Sequence, residues 1–191
     1  MAARIVVLAS GSGTLLQALI DATAAGHVEA DLVAVGSDVP DAAALERAER
    51  AGIPTFVEVP KRYPTRDEWN AALTRVVRSH EPDWVVSAGF MRILGTEFVD
   101  AFPGRIVNTH PALLPAFPGA HAVRDALAYG VKVTGCSVHL VDHGVDTGPI
   151  LAQRAIDIRP GESEDDLHER IKQMERPMLV ETLATLIGGT L

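Results

Sequence analysis

The stretch Arg4-Ile5-Val6-Val7-Leu8-Ala9-Ser10-Gly11-Ser12-Gly13-Thr14 decides the fold of this chain. The apolar run from Ile5 to Ala9 is too short to cross a membrane, and it leads into a glycine turn rather than a cleavage site. It reads as a buried strand. The glycines that follow let the backbone turn tightly, and an amphipathic stretch begins at Thr14. The segment is therefore strand, turn, helix.

Outward from this unit the same alternation recurs. Strands are predicted at residues 4–9, 31–35, 55–57, 84–87, 105–108, 133–141 and 150–158, and helices at 14–25, 41–51, 65–80, 96–102, 123–129 and 163–187. Apolar runs alternating with amphipathic stretches describe a parallel sheet covered by helices. The expected class is α/β: an open, Rossmann-like, mostly parallel sheet flanked by helices, with a more antiparallel C-terminal portion. The last helix opens Ser163-Glu164-Asp165-Asp166, a capping-box spacing with acids beside the positive helix end. Pro177 inside it predicts a break or kink near Arg176. No linker, repeat or low-complexity tract interrupts the chain, so a single domain over residues 1–191 is expected.

The 191 residues are 47% hydrophobic and 22% charged, which suits a globular protein with a substantial core. The formal charge of -8 argues against a surface built for nucleic acid, because phosphate contacts need clustered Lys and Arg. It leaves room for a small anionic ligand in a local pocket. The single cysteine, Cys136, cannot form an intramolecular disulfide, so a cytoplasmic setting is expected.

In an open α/β sheet, ligands bind outside the carboxyl ends of the strands. Four polar or glycine-rich segments follow predicted strands: residues 10–14, 89–94, 108–111 and 142–148. In the first, the free N–H groups of a helix start can hold a phosphate. A dinucleotide fingerprint would need glycine at position 16, where this chain has Leu16, and no Walker lysine pattern is present. Phosphate binding and a plain strand-to-helix turn both remain open for this loop.

The segment Asn108-Thr109-His110-Pro111 alternates two polar side chains along an extended stretch, so both can face one way. An imidazole exchanges protons near neutral pH, and a carboxamide can donate to a developing oxyanion. The blander alternative is that both residues only satisfy loop backbone. The run His139-Leu140-Val141-Asp142-His143-Gly144-Val145-Asp146-Thr147-Gly148-Pro149-Ile150 describes a tight polar loop whose carboxylate near His110 would orient the imidazole and favour its charged form. By itself it reads equally as a turn whose acids bond loop amides. Of the seven histidines, only His139 and His143 lie close together, without a zinc-ligand spacing, so no metal is expected.

Together these segments resemble the phosphoribosylglycinamide formyltransferase family of folate-dependent formyltransferases. The matching stretches are residues 5–17, Ala88-Gly89-Phe90-Met91-Arg92-Ile93-Leu94, residues 108–115 with Pro118-Gly119-Ala120-His121, residues 137–150 and residues 163–175. They span essentially the whole chain in order. The resemblance implies transfer of a formyl group from 10-formyltetrahydrofolate, a co-substrate, to the amine of glycinamide ribonucleotide. It makes Asn108, His110 and Asp146 the catalytic group. It places the ribonucleotide on Gly13, Thr14 and Leu15 through backbone amides, with Lys172, Gln173, Met174 and Glu175. The formyl folate falls to Arg66, Met91, Arg92, Ile93, Leu94 and Asn108, with the loop Asp142, His143, Gly144, Val145 and Asp146. The implied partners are small molecules, with neither nucleic acid nor membrane, on a monomer or homodimer. The family commonly has Asn at the position of Leu15 and Ser at that of Ala112, so any side-chain bond at position 15 is lost here. Methionyl-tRNA formyltransferase shares the core, and the acidic balance fits a small acceptor better than a tRNA.

Overall fold

Alternation along β1 (Ala3–Leu8) sorts the two faces of the sheet, since Ile5 and Val7 join one buried cluster while Val6 and Leu8 join another. A strand apolar on both sides must be covered on both sides, as the fold requires. The computed structural model of the protein describes residues 2–189. Its single sheet has the order β3-β2-β1-β4-β5-β6-β7, where β2 is Ala30–Ser37, β3 Thr55–Val57, β4 Trp84–Ser87, β5 Ile106–His110, β6 Val133–Leu140 and β7 Ile150–Asp157. The first five strands pair in parallel, whereas β5 with β6 and β6 with β7 are antiparallel. This is the mixed sheet that the sequence predicts.

Six helices flank the sheet: α1 (Thr14–Ala24), α2 (Ala43–Arg50), α3 (Arg66–Ser79), α4 (Thr96–Ala101), α5 (Ala122–Tyr129) and α6 (Glu164–Ile187). Leu16 and Leu19 of α1 and Ile171 and Leu179 of α6 fill one cluster, while Trp69 and Leu73 of α3 and Phe98 of α4 fill the other. After β3 the chain returns to the far side of β1, so the sheet order reverses between β1 and β4. The crevice beyond their carboxyl ends is the position such folds use for ligands.

Two expectations need correction. Pro177 does not interrupt α6, which runs unbroken from Glu164 to Ile187. Leu167, Ile171, Met178, Leu179 and Leu183 are all buried on one side of it, and this packing offsets the single N–H that the proline removes. Strand β5 continues two residues past its expected end at 108, because β6 pairs with it as far as His110 opposite Ser137. The capping prediction holds, since Ser163 Oγ accepts from Asp166 N at 3.1 Å. No described helix is long and apolar enough to cross a membrane.

Candidate active site

Asn108 and His110 lie on β5 itself, two residues apart and on the face shared with Ile106. Opposite them on β6 stand His139, paired with Asn108, and Ser137, paired with His110. Period-2 alternation therefore writes a row of polar groups across an otherwise apolar sheet. The helix α6 packs against the opposite face of β6 and β7, where Cys136 and Val138 point. The polar face is covered by loops.

One of those loops is placed differently from the expectation. Because β6 runs antiparallel, its carboxyl end lies beside Ile106, at the amino end of β5, where Val141 N donates to Ile106 O at 2.8 Å. The segment after it then turns back towards the polar row. Asp142 Oδ1 closes this turn by accepting from Gly144 N at 3.0 Å and Thr147 Oγ1 at 2.7 Å. The Thr147 bond holds the Asp142 carboxyl below the usual carboxylate range. At Gly148 a Cβ would lie 1.9 Å from Leu140 O, so only glycine fits the return.

Asp146, in the left-handed region at φ 55, is thereby delivered to the row. Its Oδ2 lies 3.3 Å from His110 Nδ1 and accepts from Gly119 N at 2.8 Å, while its Oδ1 lies 3.5 Å from His139 Nε2. Burial pushes this carboxyl up. The bonds from His139 and Gly119 and the neighbouring imidazoles outweigh burial and leave it below its ordinary value. Asp146 is the acceptor, and ionised, member of the group.

The ring of His110 is 4% exposed, and both of its nitrogens face oxygen. Nε2 lies 2.8 Å from the Phe117 carbonyl, and Nδ1 faces the Asp146 carboxylate. Each ring nitrogen therefore faces an oxygen that can accept an N–H. His139 has the other arrangement. Its Nδ1 lies 2.9 Å from the Leu140 carbonyl, and its Nε2 lies 3.1 Å from Asn108 Nδ2 and 3.5 Å from Asp146 Oδ1. That contact orients the Asn108 carboxamide and leaves its second N–H free for a ligand.

His139 and Ser137 are the residues that sequence reasoning missed. Ser137 Oγ donates to Ala112 O at 2.7 Å and accepts from Leu114 N at 3.0 Å and Gln153 Nε2 at 2.9 Å, so it fixes the segment after His110. Their signal was the Ser137-x-His139 alternation beside Asn108-x-His110, whereas reading the run from His139 to Ile150 for its carboxylates gives His139 no role. The pair His139 and His143 is split, since His143 reaches out to Asp100 at 3.2 Å among exposed groups. No cluster of three or more potential metal ligands occurs among the described residues. Burial pushes the Cys136 thiol up to about 12, so it is no nucleophile.

At the start of α1, Gly13 adopts φ 68 and no side chain caps the helix. The N–H groups of Thr14, Leu15 and Leu16 have no partner among the described residues. The side chain of Leu15 turns into the core at 8% exposure, so only its backbone faces outward. On α6, Glu175 is buried, and burial raises its carboxyl to about 7. Lys172 Nζ lies 3.8 Å from Glu169, Gln173 is exposed, and Met174 packs against the core.

The loop between β4 and α4 carries Met91 and Ile93 at 71% and 55% exposure. Arg92 Nε donates to Asp38 Oδ2 at 2.6 Å, and Arg66 Nη2 to the Ile93 carbonyl at 2.8 Å. Both guanidinium groups are therefore already engaged on protein. The remaining exposed large apolar side chains nearby are Val39 and Val145, on the loops after β2 and β6. Isolated apolar exposure needs no explanation, but Met91, Ile93 and Val39 stand on the two loops that the Arg92–Asp38 bond joins, and there they offer apolar surface to a ligand.

The formyl transferase family model matches residues 3–183. A phosphoribosylglycinamide formyltransferase of Mycobacterium tuberculosis is 58% identical over 184 residues, covering 96% of this chain and 85% of that one. The human trifunctional purine biosynthetic protein adenosine-3 is 43% identical over 188 residues, 98% of this chain and 19% of that much longer protein. The crystal structure of glycinamide ribonucleotide transformylase 1 from Symbiobacterium toebii superposes with a TM-score of 0.96 at 44% identity, covering 98% of this chain and 88% of that one. With the family model matched over residues 3–183 and the fold superposed over 98% of its length, the chain belongs to the formyl transferase family.

Proposed function

We propose that this enzyme transfers the formyl group of 10-formyltetrahydrofolate to the amine of N1-(5-phospho-D-ribosyl)glycinamide, yielding the N-formyl ribonucleotide and tetrahydrofolate, a step of purine synthesis. The observation that carries this reading is His110, held between the Phe117 carbonyl and the Asp146 carboxylate, beside the Asn108 carboxamide on the same strand face. As the amine adds to the formyl carbon, negative charge grows on the formyl oxygen. That oxygen takes the place of the Phe117 carbonyl on His110 Nε2, and the free N–H of Asn108 is the second donor. Removing one comparable donor costs about 3–4 kcal/mol in hydrolases.

Asp146 pairs with and orients His110 and lies on the proton path. One proton leaves the attacking amine, one reaches the departing folate nitrogen, and the new C–N bond replaces the old one. No covalent enzyme intermediate is required, and juxtaposing the two ligands supplies much of the acceleration.

The unpartnered N–H groups of Thr14, Leu15 and Leu16 suit the substrate phosphate, with Gly13 setting the turn and Lys172 adding charge. Glu175 serves the ribose hydroxyls, flanked by Gln173 and Met174. For the folate, Ile93 and Leu94 offer bulk to a flat ring, and the main chain of residues 91–94 supplies hydrogen bonds. Arg66 sits at the edge of this loop. Asp142 shapes the loop it begins, with His143, Gly144 and Val145 contributing main chain and apolar contact. Its carboxylate is already spent on Gly144 and Thr147.

The deciding measurement incubates the protein with 10-formyltetrahydrofolate, with and without glycinamide ribonucleotide, and follows folate deformylation. Turnover only with the ribonucleotide is the expected result. Equal turnover without it would mean a hydrolase, and none in either case a binding protein.

A further inference from the structure

Asp38 directly follows β2 with 4% exposure, and it lies outside the groups that the proposed chemistry uses. A buried carboxylate is costly unless paired and hydrogen-bonded, so its partners show what holds it there. Ser10 Oγ donates to Asp38 Oδ1 at 2.5 Å, and Arg92 Nε donates to Oδ2 at 2.6 Å. The same Ser10 hydroxyl accepts from Met91 N at 2.8 Å, and Ser10 N donates to the Gly89 carbonyl at 3.1 Å. One carboxylate thus ties together the loops after β1, β2 and β4.

The two ligand loops do not depend on this knot equally. The loop at the start of α1 has its own brace from α2: Arg47 Nε donates to Ser12 O at 2.8 Å, Ala44 N to Gly11 O at 3.0 Å, and Gly13 packs against Ala44. The loop after β4 is braced by α3 only at its far end, and its near end rests on the Asp38 knot. Its fixed points are Met91 N and the Arg92 side chain, both on the Asp38 knot, the Ile93 carbonyl on Arg66, and Gly95 N on Asn70 Oδ1 at 2.9 Å. Between them the N–H groups of Arg92, Ile93 and Leu94 carry no bond among the described residues. Pinned on both sides and bare in the middle, the loop presents its amides outward.

We infer that Asp38 is a positioning residue for the formyl-donor loop, acting through Ser10 and Arg92, while Arg47 does the corresponding work for the ribonucleotide loop. The inference rests on the placement of the donor along residues 91–94 given above. Breaking the knot should then weaken donor binding selectively.

The test measures both KM values, kcat and the thermal midpoint for Ser10→Ala, Asp38→Asn, Arg47→Met and Leu94→Ala. Ser10→Ala removes two hydrogen bonds and should raise the donor KM about tenfold, with ribonucleotide KM and kcat within about twofold. Asp38→Asn keeps the shape but loses the charge pairing, and should raise it about fivefold. Arg47→Met should give the crossed result, a raised ribonucleotide KM with the donor KM held. Equal rises in both KM values, or a lowered midpoint with an unmoved donor KM in Ser10→Ala and Asp38→Asn, would make the knot merely structural and overturn the inference. Leu94→Ala separates the two readings: an unchanged donor KM there would remove the donor from this loop, whereas a raised one beside unresponsive Ser10 and Asp38 variants would sink only the latch.

Discussion

The start of α1 and the polar row on β5 and β6 are both suited to negative charge, and they are built from opposite materials. At α1 the donors are main-chain N–H groups, the side chain of Leu15 is turned into the core, and no ionisable group caps the helix. On β5 and β6 every donor is a side chain, and each is aimed by another: His110 by Asp146 and Phe117, Asn108 by His139. A backbone site draws its geometry from the fold, so side-chain identity there is nearly free. A side-chain site must be charged and oriented by neighbours, so it is sensitive to substitution and pH. Binding an anion needs only the first kind of site, while stabilising charge that appears during a reaction repays the second.

The contrast breaks most sharply at its catalytic end. His110→Ala and Asp146→Asn should each lower kcat by about 10²–10³-fold, the scale of losing an oxyanion donor. The two effects should not add, because Asp146 acts through His110. Circular dichroism should show an intact fold in both variants, and ribonucleotide KM should stay within about threefold. Either variant turning over at near wild-type rate would remove that residue from the chemistry.

How far this division was legible in the sequence follows from the same physics. The parallel half of the sheet was read from periodicity, because strands apolar on both faces and amphipathic helices leave strong local patterns. The antiparallel end was read by class but not in detail. The loop after β6 lies at the amino end of β5 rather than with the carboxyl-end loops, and only the register of β6 against β5 reveals that. Asn108 and His110 stood out as alternating polar residues, yet their partners His139 and Ser137 depend on cross-strand pairing between residues about thirty apart, which no local pattern encodes. The Asp38 knot was invisible for the same reason, since Ser10, Asp38 and Arg92 come together only in the folded sheet. Pro177 misled because local propensity yields to the packing of α6.

Leu15 tests the backbone side of the comparison. Its side chain packs with Leu16 and Leu19 in the core, so Leu15→Ala should cost about 2–3 kcal/mol of stability, read from the denaturant midpoint. Its amide is untouched, so ribonucleotide KM should move less than about twofold at a temperature where the variant is folded. A large rise in that KM with unchanged stability would mean that the side chain, not the main chain, makes the contact.

Glu175 sharpens the comparison, because it is a buried ionisable group that the proposed reading adds, with Lys172, to the backbone donors of α1. Burial raises its carboxyl from the usual 4.5 to about 7, with Lys172 and Arg176 opposing the rise. At pH values below about 4.5 both the folded and the unfolded chain hold this proton, and nothing is lost. Between there and about pH 7 the unfolded chain releases it while the folded chain keeps it, so the folded state binds more protons and stability falls as pH rises. Above about pH 7 both forms are ionised and the loss, on the order of 3 kcal/mol, is complete. Glu175→Gln should therefore flatten this part of the stability profile and gain most at pH 8, as measured by urea unfolding from pH 5 to 8. If the carboxylate accepts ribose hydroxyls, ribonucleotide binding will favour its ionised form, and wild-type affinity will rise through pH 7 while that of Glu175→Gln stays level. A wild-type stability profile matching that of Glu175→Gln would show that the carboxyl titrates normally, and a titratable anchor would then be absent from this side of the molecule.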